Sequence, residues 1–534
     1  MPLDYLYRRF KLFFLWASLC MLLASCMAPK AGSFDDHSYN SIRPPVSASK
    51  RPETTKPKAQ TSGEAATIEN PVRISLENAI FFALENNRSL RVEQLKPSIQ
   101  HTFEDEERAA FDPALSGEAA FSREKGQERS KDSSRASDTT ANETNLAASI
   151  SRFFSTGTDV NVDLSTDRTW SDVYRDQHAS RIGLSVTQAL LQGRGTDVNL
   201  ADLRQAQLDT RVSHYELRGF VEALVSQVEQ TYWDYALAQR RIEIFQESLK
   251  LAEQQLKETE EMIKVGKLAE TEVIAAQAEI ALRRRDLINA RSTMETERLR
   301  LLRLLSLPGT EPLEREIALL SVPFAPKVTL DPVGAHVELA LRMRPDLHQA
   351  KLEVQRNELD VVKTENGLLP KMDFFITLGK TGYADSFGKS ISHITEDHYD
   401  VSSGIRLEYP LRNRESKARY QRSILKREQS EEAVKNLADL VELDVRSAYI
   451  EVKRAKEQIP ATVVSRELQE EKLRIETEKF RVGRSTMFLV AQAQRDLVLS
   501  KIAEVEALIN SLKALIDLYR LEGALLDLHS ISTF

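Results

Sequence analysis

Two rhythms of apolar residues run along this chain, and each predicts its own kind of element. Between Thr196 and Leu307 the composition is dominated by Ala, Leu, Glu, Gln, Arg and Lys, with only Gly219 and Gly266 interrupting, which favours helix throughout. Apolar side chains fall there at Val221, Val225, Val228, Tyr232, Tyr235, Ile242, Phe245, Leu249, Ala252 and Leu256, in steps of four and three with Gln239 filling one slot. Such spacing is the seam of a coiled coil. A second stretch keeps the rhythm at Val441, Val445, Ala448, Val452, Ala455 and Ile459. An unbroken helix of roughly 60 residues extends about 90 Å, more than a compact globular domain needs. Val265-Gly266-Lys267 stops it and Leu268 to Leu307 resumes it, so the segment is predicted to be a long helical hairpin with the glycine turn at its tip.

The other rhythm has period two. Val401, Ser403, Ile405, Leu407, Tyr409 and Leu411 alternate with Ser402, Gly404, Arg406 and Glu408, and the same pattern recurs in Met372-Phe374-Ile376-Leu378, Val160-Val162-Leu164 and Ile182-Leu184-Val186. These are strands with one apolar and one polar face. A half-buried sheet in a soluble protein fits that pattern, and so do the short strands of an outer-membrane barrel. One chain offers too few of them to close a barrel with a lumen, so a barrel requires several copies.

Both rhythms occur twice. Lys264-Val265-Gly266-Lys267, with Val273 and Ala276-Gln277 after it, returns about 217 positions later as Arg481-Val482-Gly483-Arg484, Val490 and Ala493-Gln494. Val228 and Tyr232 match Val445 and Tyr449, and Ala83-Leu84, Leu90 and Pro113 match Ala340-Leu341, Leu347 and Pro370. A repeat this long is two copies of a whole structural unit, 71–308 and 333–526, joined by a linker at 309–332 and followed by a tail at 527–534. The first copy carries extra residues, among them a polar stretch from Arg123 to Thr144 and an additional hairpin around Ser155-Thr156-Gly157-Thr158.

The amino terminus gives an address. Arg8, Arg9 and Lys11 precede an apolar run from Leu12 to Leu23 that is too short to span a bilayer, and Leu23-Ala24-Ser25-Cys26 closes it. Residues 1–25 read as a signal peptide ending in a lipobox, with Cys26 the lipidated first residue of the mature chain; an ordinary secretory signal with an incidental cysteine is the alternative. Residues 26–70, rich in Ser, Pro, Lys and Thr, read as a tether that lacks the apolar surface to fold. Cys20 would leave with the signal, so no disulfide or thiol chemistry is expected.

Charge and motifs narrow the function by exclusion. A net charge of -7 with 29% charged residues provides no basic excess for nucleic acid. The nine histidines are scattered, no His-Glu-x-x-His or phosphate-binding glycine loop occurs, and helix carboxylates such as Glu258, Glu260 and Glu261 sit among Lys and Arg as on a solvated face. No enzyme, cofactor or metal site is expected.

The order of these features resembles the TolC-like outer-membrane efflux proteins, in the form of an outer-membrane lipoprotein. The residues that carry the resemblance are Ser75-Leu76-Glu77-Asn78-Ala79 and Ala83-Leu84-Glu85-Asn86-Asn87 in a leading helix, Leu369-Pro370 before a strand, Tyr409-Pro410-Leu411 after one, and the two glycine tips. It implies a mixed α/β membrane protein in which duplicated coiled-coil hairpins form a periplasmic α-barrel and strands join a transmembrane β-barrel shared by a homotrimer. It also implies a periplasmic adaptor, or membrane fusion protein, and an inner-membrane transporter as partners, with outer-membrane lipid around the strands. Under the resemblance Val265, Gly266, Lys267, Val482, Gly483 and Arg484 face the adaptor, and Thr271, Glu272, Phe480, Met487, Phe488 and Leu489 line the periplasmic aperture. Leu489 and Gln492 stand where the family carries an acidic ring, and Phe480 where it has a tyrosine, so the aperture is expected to rest more on apolar packing than on charge. The implied function is a passive conduit for small-molecule efflux. Type I secretion of a polypeptide is one alternative, and a structural coiled-coil lipoprotein spacing two membranes is another.

Overall fold

The two halves of the chain fold into the same series of helices with nearly the same lengths. The computed structural model describes residues 71–129, 136–171, 175–266, 268–308, 312–324 and 329–532. The first half contains α1 (Leu76–Asn86), α2 (Arg88–Ala109), α3 (Ala201–Lys264) and α4 (Thr271–Leu305). The second contains α5 (Val333–Met343), α6 (Pro345–Asn366), α7 (Arg414–Arg481) and α8 (Met487–Leu521). Paired in order, they have 11 and 11, 22 and 22, 64 and 68, and 35 and 35 residues. Local chemistry starts the first two: the Ser75 hydroxyl accepts from the Asn78 N–H, and the Asn87 side chain accepts from that of Leu90, satisfying donors that a helix start leaves orphaned.

The halves differ in their strands. β2 (Ala114–Arg129), β3 (Ala136–Phe154), β4 (Thr158–Ser171) and β5 (Gln177–Ala189) lie between α2 and α3, whereas only β7 (Lys371–Ala384) and β8 (Tyr399–Glu408) lie between α6 and α7. Together they form one antiparallel six-stranded sheet in the order β2-β3-β4-β5-β7-β8. The polar stretch from Arg123 to Thr144 is therefore largely sheet, with 130–135 outside the described residues.

Register sorts the sheet into two unlike faces. Leu115, Ile150, Val162, Leu184, Leu378 and Val401 stand side by side across all six strands. Phe121, Leu146, Leu164, Ile182, Ile376 and Ile405 share their face, and Arg168, Trp170 and Tyr399 lie at its far end. Among the described side chains, the opposite face carries Glu118, Glu124, Glu143, Asp159, Asp163, Asp167, Asp373, Asp400 and Glu408 against Arg181, Lys371 and Arg406. A strand shows alternate residues to alternate sides, so every strand contributes to both faces.

The helices pack around a core centred on α3. Val221, Leu224, Val225, Val228, Tyr232 and Tyr235 are buried together with Ile80, Ala83, Leu301, Leu302, Leu305 and Ile509. The Tyr232 hydroxyl donates to the Ile74 carbonyl at 3.1 Å and accepts from the Ser321 N–H at 3.1 Å, while that of Tyr235 donates to the Ile317 carbonyl at 3.1 Å. These bonds fasten a small parallel sheet, β1 (Val72–Ile74) on β6 (Ile317–Leu319), to the helices. β6 lies in the segment between the repeats, and the one-turn helix Leu525–Leu528 buries Leu525 and Leu526 where the tail begins.

Towards the tips the seam departs from the strict heptad. Ile244, Ser248, Ala252, Gln255 and Thr259 are the buried positions of α3 there, while Ile242, Phe245 and Leu249 are half-buried. A helix of 3.6 residues per turn drifts about 20° per heptad against a 3.5-residue repeat, and over these turns the drift moves the deepest position off the expected residue. In α7, Val441, Val445, Val452 and Ala455 are buried as expected.

Candidate functional site

Each glycine tip is a helix terminus that only glycine closes without strain. Gly483 has φ +71 and its N–H donates to the Phe480 carbonyl at 3.0 Å, while the Arg484 N–H donates to that of Lys479 at 2.8 Å. This pair of bonds is a Schellman cap, which needs a left-handed residue just past the helix. At the other tip Gly266 has φ 76 and its N–H donates to the Ile263 carbonyl at 2.9 Å. A Cβ at either glycine would meet nothing within 4 Å, so the requirement is conformational. Val265 and Val482 project into solvent beside them, 69% and 68% exposed, and Arg484 is exposed as well. Lys267 and Cys26 lie outside the described residues.

The two tips lie together. Glu272 in the first turn of α4 accepts from the Met487 N–H at the start of α8, 3.1 Å away, and Arg481 reaches Glu258 at 3.5 Å. The first contact sets a carboxylate on the positive end of a helix. Thr271 opens α4 and is exposed. Phe480 (1% exposed) and Met487 (0%) pack with Ala276, Leu473, Val490, Ala493 and Leu497, whereas Phe488 (63%) and Leu489 (44%) stand outside that cluster. Within one chain, then, apolar packing at the tips is the work of Phe480 and Met487, and it is accompanied by polar links that Glu272 and Glu258 provide.

Further up the seam lies a buried charge cluster that sequence reasoning did not single out. Arg283 is ion-paired to Glu279, which also takes Arg495 of the other hairpin at 2.9 Å; Arg495 lies 6.0 Å from the Phe488 ring centre. The four-residue spacing of Glu279 and Arg283 is a helical pair visible in sequence. Its bond to Arg495 joins residues 216 apart, for which sequence holds no local signal.

The flanks of the chain are apolar and open. α3 packs on α2, α4, α6 and α8, and α7 packs on α6 and α8, which leaves α2, α4 and α7 at the borders. Val92, Leu95, Ile99 and Phe103 of α2 are exposed, as are Ile274, Ile288 and Leu299 of α4. Leu440, Leu443, Ile450, Val464 and Leu468 of α7 are exposed at the opposite border. A groove of about 540 Å³ between Leu256, Ile280, Arg284 and Ile288 runs beside α4. No helix among the described residues is long and apolar enough to cross a membrane.

A sheet with one apolar and one acidic face, joined to duplicated helical hairpins, defines a mixed α/β membrane protein of the outer-membrane channel class. The family profile "outer membrane efflux protein" matches residues 158–306 and 336–524, and the chain belongs to that family. It is accordingly a protein of the bacterial outer membrane with an efflux-channel role. Among solved structures, the outer-membrane channel OprN is 17% identical with a TM-score of 0.63, over 89% of this chain and 98% of that one. The Campylobacter jejuni CmeC outer membrane channel is 15% identical with a TM-score of 0.63, over 89% and 94%. The open state of the Neisseria gonorrhoeae MtrE outer membrane channel is 17% identical with a TM-score of 0.58, over 90% and 99%. At these identities the likeness is one of fold. A comparison with curated protein sequences finds no significant match. A coiled-coil spacer between membranes, the structural alternative, gives no account of the six-stranded sheet or of the family match.

Proposed function

We propose that three copies of this chain form an export channel anchored by lipid at Cys26 and closed by contacts between the α7 border of one copy and the α2 and α4 border of the next. The supporting observation is the pair of open borders: exposed apolar side chains recur at helical spacing on both, and a monomer would leave them in water. The acidic sheet face lines the lumen, where it attracts cations, and the cargo is small cationic solutes. The chain performs no catalysis; an inner-membrane transporter drives export through a periplasmic adaptor that docks on the tips at Val265, Gly266, Lys267, Val482, Gly483 and Arg484. Thr271, Glu272, Phe480, Met487, Phe488 and Leu489 form the periplasmic aperture, with Phe488 and Leu489 turned to neighbouring copies.

The test is export in a strain lacking the chromosomal copy. Cells with the gene restored should accumulate less of a cationic fluorescent dye than cells without it, and the difference should vanish when the inner-membrane energy source is collapsed. Equal accumulation of cationic dyes together with loss of a secreted polypeptide would reject small-solute efflux.

A further inference from the structure

On the trimer reading above, we infer that the transmembrane wall contains eighteen strands, closed by pairing β8 of each copy with β2 of the next. β2 and β8 are the borders of the six-stranded sheet, and each has a strand neighbour on one side only. An uncovered sheet border is a template for another strand. The six strands form a strict antiparallel series in which β2 runs away from the helices and β8 returns towards them. The β8 of one copy is therefore antiparallel to the β2 of the next, as an even-stranded barrel requires.

Three features place the strand pair β2–β3, which the second half lacks, in the wall rather than beside it. Its apolar side chains continue the belt: Leu115, Phe121, Leu146 and Ile150 are all exposed, and they align with Val162, Leu164, Leu184 and Val401 on one face. Outside lipid, that face would carry these groups in water. Its polar side chains continue the acidic face, with Glu118, Glu124 and Glu143 beside Asp163 and Asp167. The chain path agrees, because β2 follows the border helix α2 and β8 leads into the border helix α7. The elements that bound the helical part thus also bound the sheet.

The two circumferences then match. Twelve helices, from α2, α3, α6 and α7 of three copies, at about 8–10 Å spacing make a ring of about 95–120 Å. Eighteen strands at about 4.8 Å spacing and about 40° tilt make one of about 113 Å, or about 36 Å between opposite backbones. Twelve strands reach only about 75 Å on the same geometry and need a sharp taper. The first family-profile segment opens at Thr158, the first residue of β4, so β2 and β3 precede the matched part.

Cysteine cross-linking of the full chain distinguishes the arrangements, since the sequence has only Cys20 and Cys26. Ser402→Cys in β8 is combined in one chain with Ser116→Cys, Ala120→Cys or Ser122→Cys in β2, and separately with Asn161→Cys, Ser165→Cys or Thr169→Cys in β4. The mass of each detergent-solubilised variant is measured by light scattering before oxidation. The eighteen-strand wall predicts trimer-sized particles and covalent ladders up to three chains for at least one β8–β2 pair, with none for β8–β4. Trimers that cross-link only β8 to β4, or neither pair, overturn the wall and leave the trimer standing. A monomer mass overturns the trimer and the wall together. As a measurement independent of cross-linking, polymer exclusion from the single channel should give a barrel wider than twelve strands allow; a cut-off that fits twelve strands would contradict the proposal.

Discussion

Replacing Gly483 separates the part the tip plays in folding from the part it plays in docking. The residue has φ +71, and a Cβ built there meets nothing within 4 Å. Alanine and leucine therefore share one backbone penalty, the roughly 1–2 kcal/mol of holding an L-residue in the left-handed region, and the Cβ that each adds meets no atom of the chain. The loss falls at the end of a 68-residue helix whose core contacts from Val441 to Ala455 lie far from the tip and whose Phe480 is held by its own cluster, so melting should drop by only a few degrees and equally for both. Asparagine, which tolerates that conformation better, should lose less. Leucine adds a branched side chain beside exposed Val482 and Arg484, on the surface where the proposed docking would bring an adaptor backbone close. The assay is dye accumulation in the deletion strain, with trimer level in outer-membrane fractions as control. Gly483→Leu should reduce export at least about tenfold, which corresponds to about 1.4 kcal/mol of docking energy, while Gly483→Ala and Gly483→Asn retain most of it. Export that follows the melting temperature through the series, or normal export by Gly483→Leu, would refute docking at this tip.

Other perturbations test separate parts of the account. Tyr232→Phe removes the hydroxyl bonds to Ile74 of β1 and to Ser321 just past β6 and should destabilise by about 1–3 kcal/mol; a melting temperature equal to the parent's would contradict the clamp. Glu222 is buried beside Arg218, and burial raises its carboxyl from 4.5 to about 7 in spite of that arginine. The folded state is therefore penalised progressively as pH rises from about 4.5 to 7, by ~3 kcal/mol at the upper end. Glu222→Gln should gain stability relative to the parent between pH 5 and pH 8, and a pH-independent difference in melting would reject this. His529 donates from Nε2 to the Glu229 carboxylate at 2.6 Å, and that bond raises its pKa. Its stabilising contribution is present below about 6.5, the ordinary histidine value, and is lost as pH rises through the higher folded value, so Glu229→Gln should destabilise more at pH 5.5 than at pH 9. Cys26→Ala should leave an unlipidated amino terminus by mass spectrometry while trimers persist in the outer membrane; loss of membrane insertion would show that the sheet does not hold the protein by itself.

What the sequence disclosed depended on whether a residue's partner was local. The glycine tips and the heptads from Val221 to Tyr235 and from Val441 to Ala455 were legible because a helix repeats its own period. β4, β5, β7 and β8 were legible because Val160, Ile182, Met372 and Val401 begin alternating runs. β3 was legible only at its end, where the Ser155–Thr158 turn joins it to β4; β2 and the rest of β3 were hidden where the alternation fades, because Arg123, Lys125 and Asn142 stand on the same face as Phe121 and Leu146, past the apolar belt, so both faces are polar there. β1 and β6 have three residues each, too few to show a period. The bond from Met487 to Glu272 spans 215 positions, and only the packed hairpins bring its ends together. In the distal seam of α3 the expected Ala252 is buried, while Ile242, Phe245 and Leu249 give way to Ile244 and Ser248, because helical drift accumulates over turns that the heptad pattern counts as equal.

Single-particle electron microscopy of the full-length protein in lipid nanodiscs tests the central claim most directly. The account predicts three chains around one continuous lumen, with the apolar face of the sheet against lipid, the acidic face against water, and both glycine tips at the far end of the hairpins. A particle of one chain, a sheet lying outside the bilayer, or acidic residues turned towards lipid would contradict it.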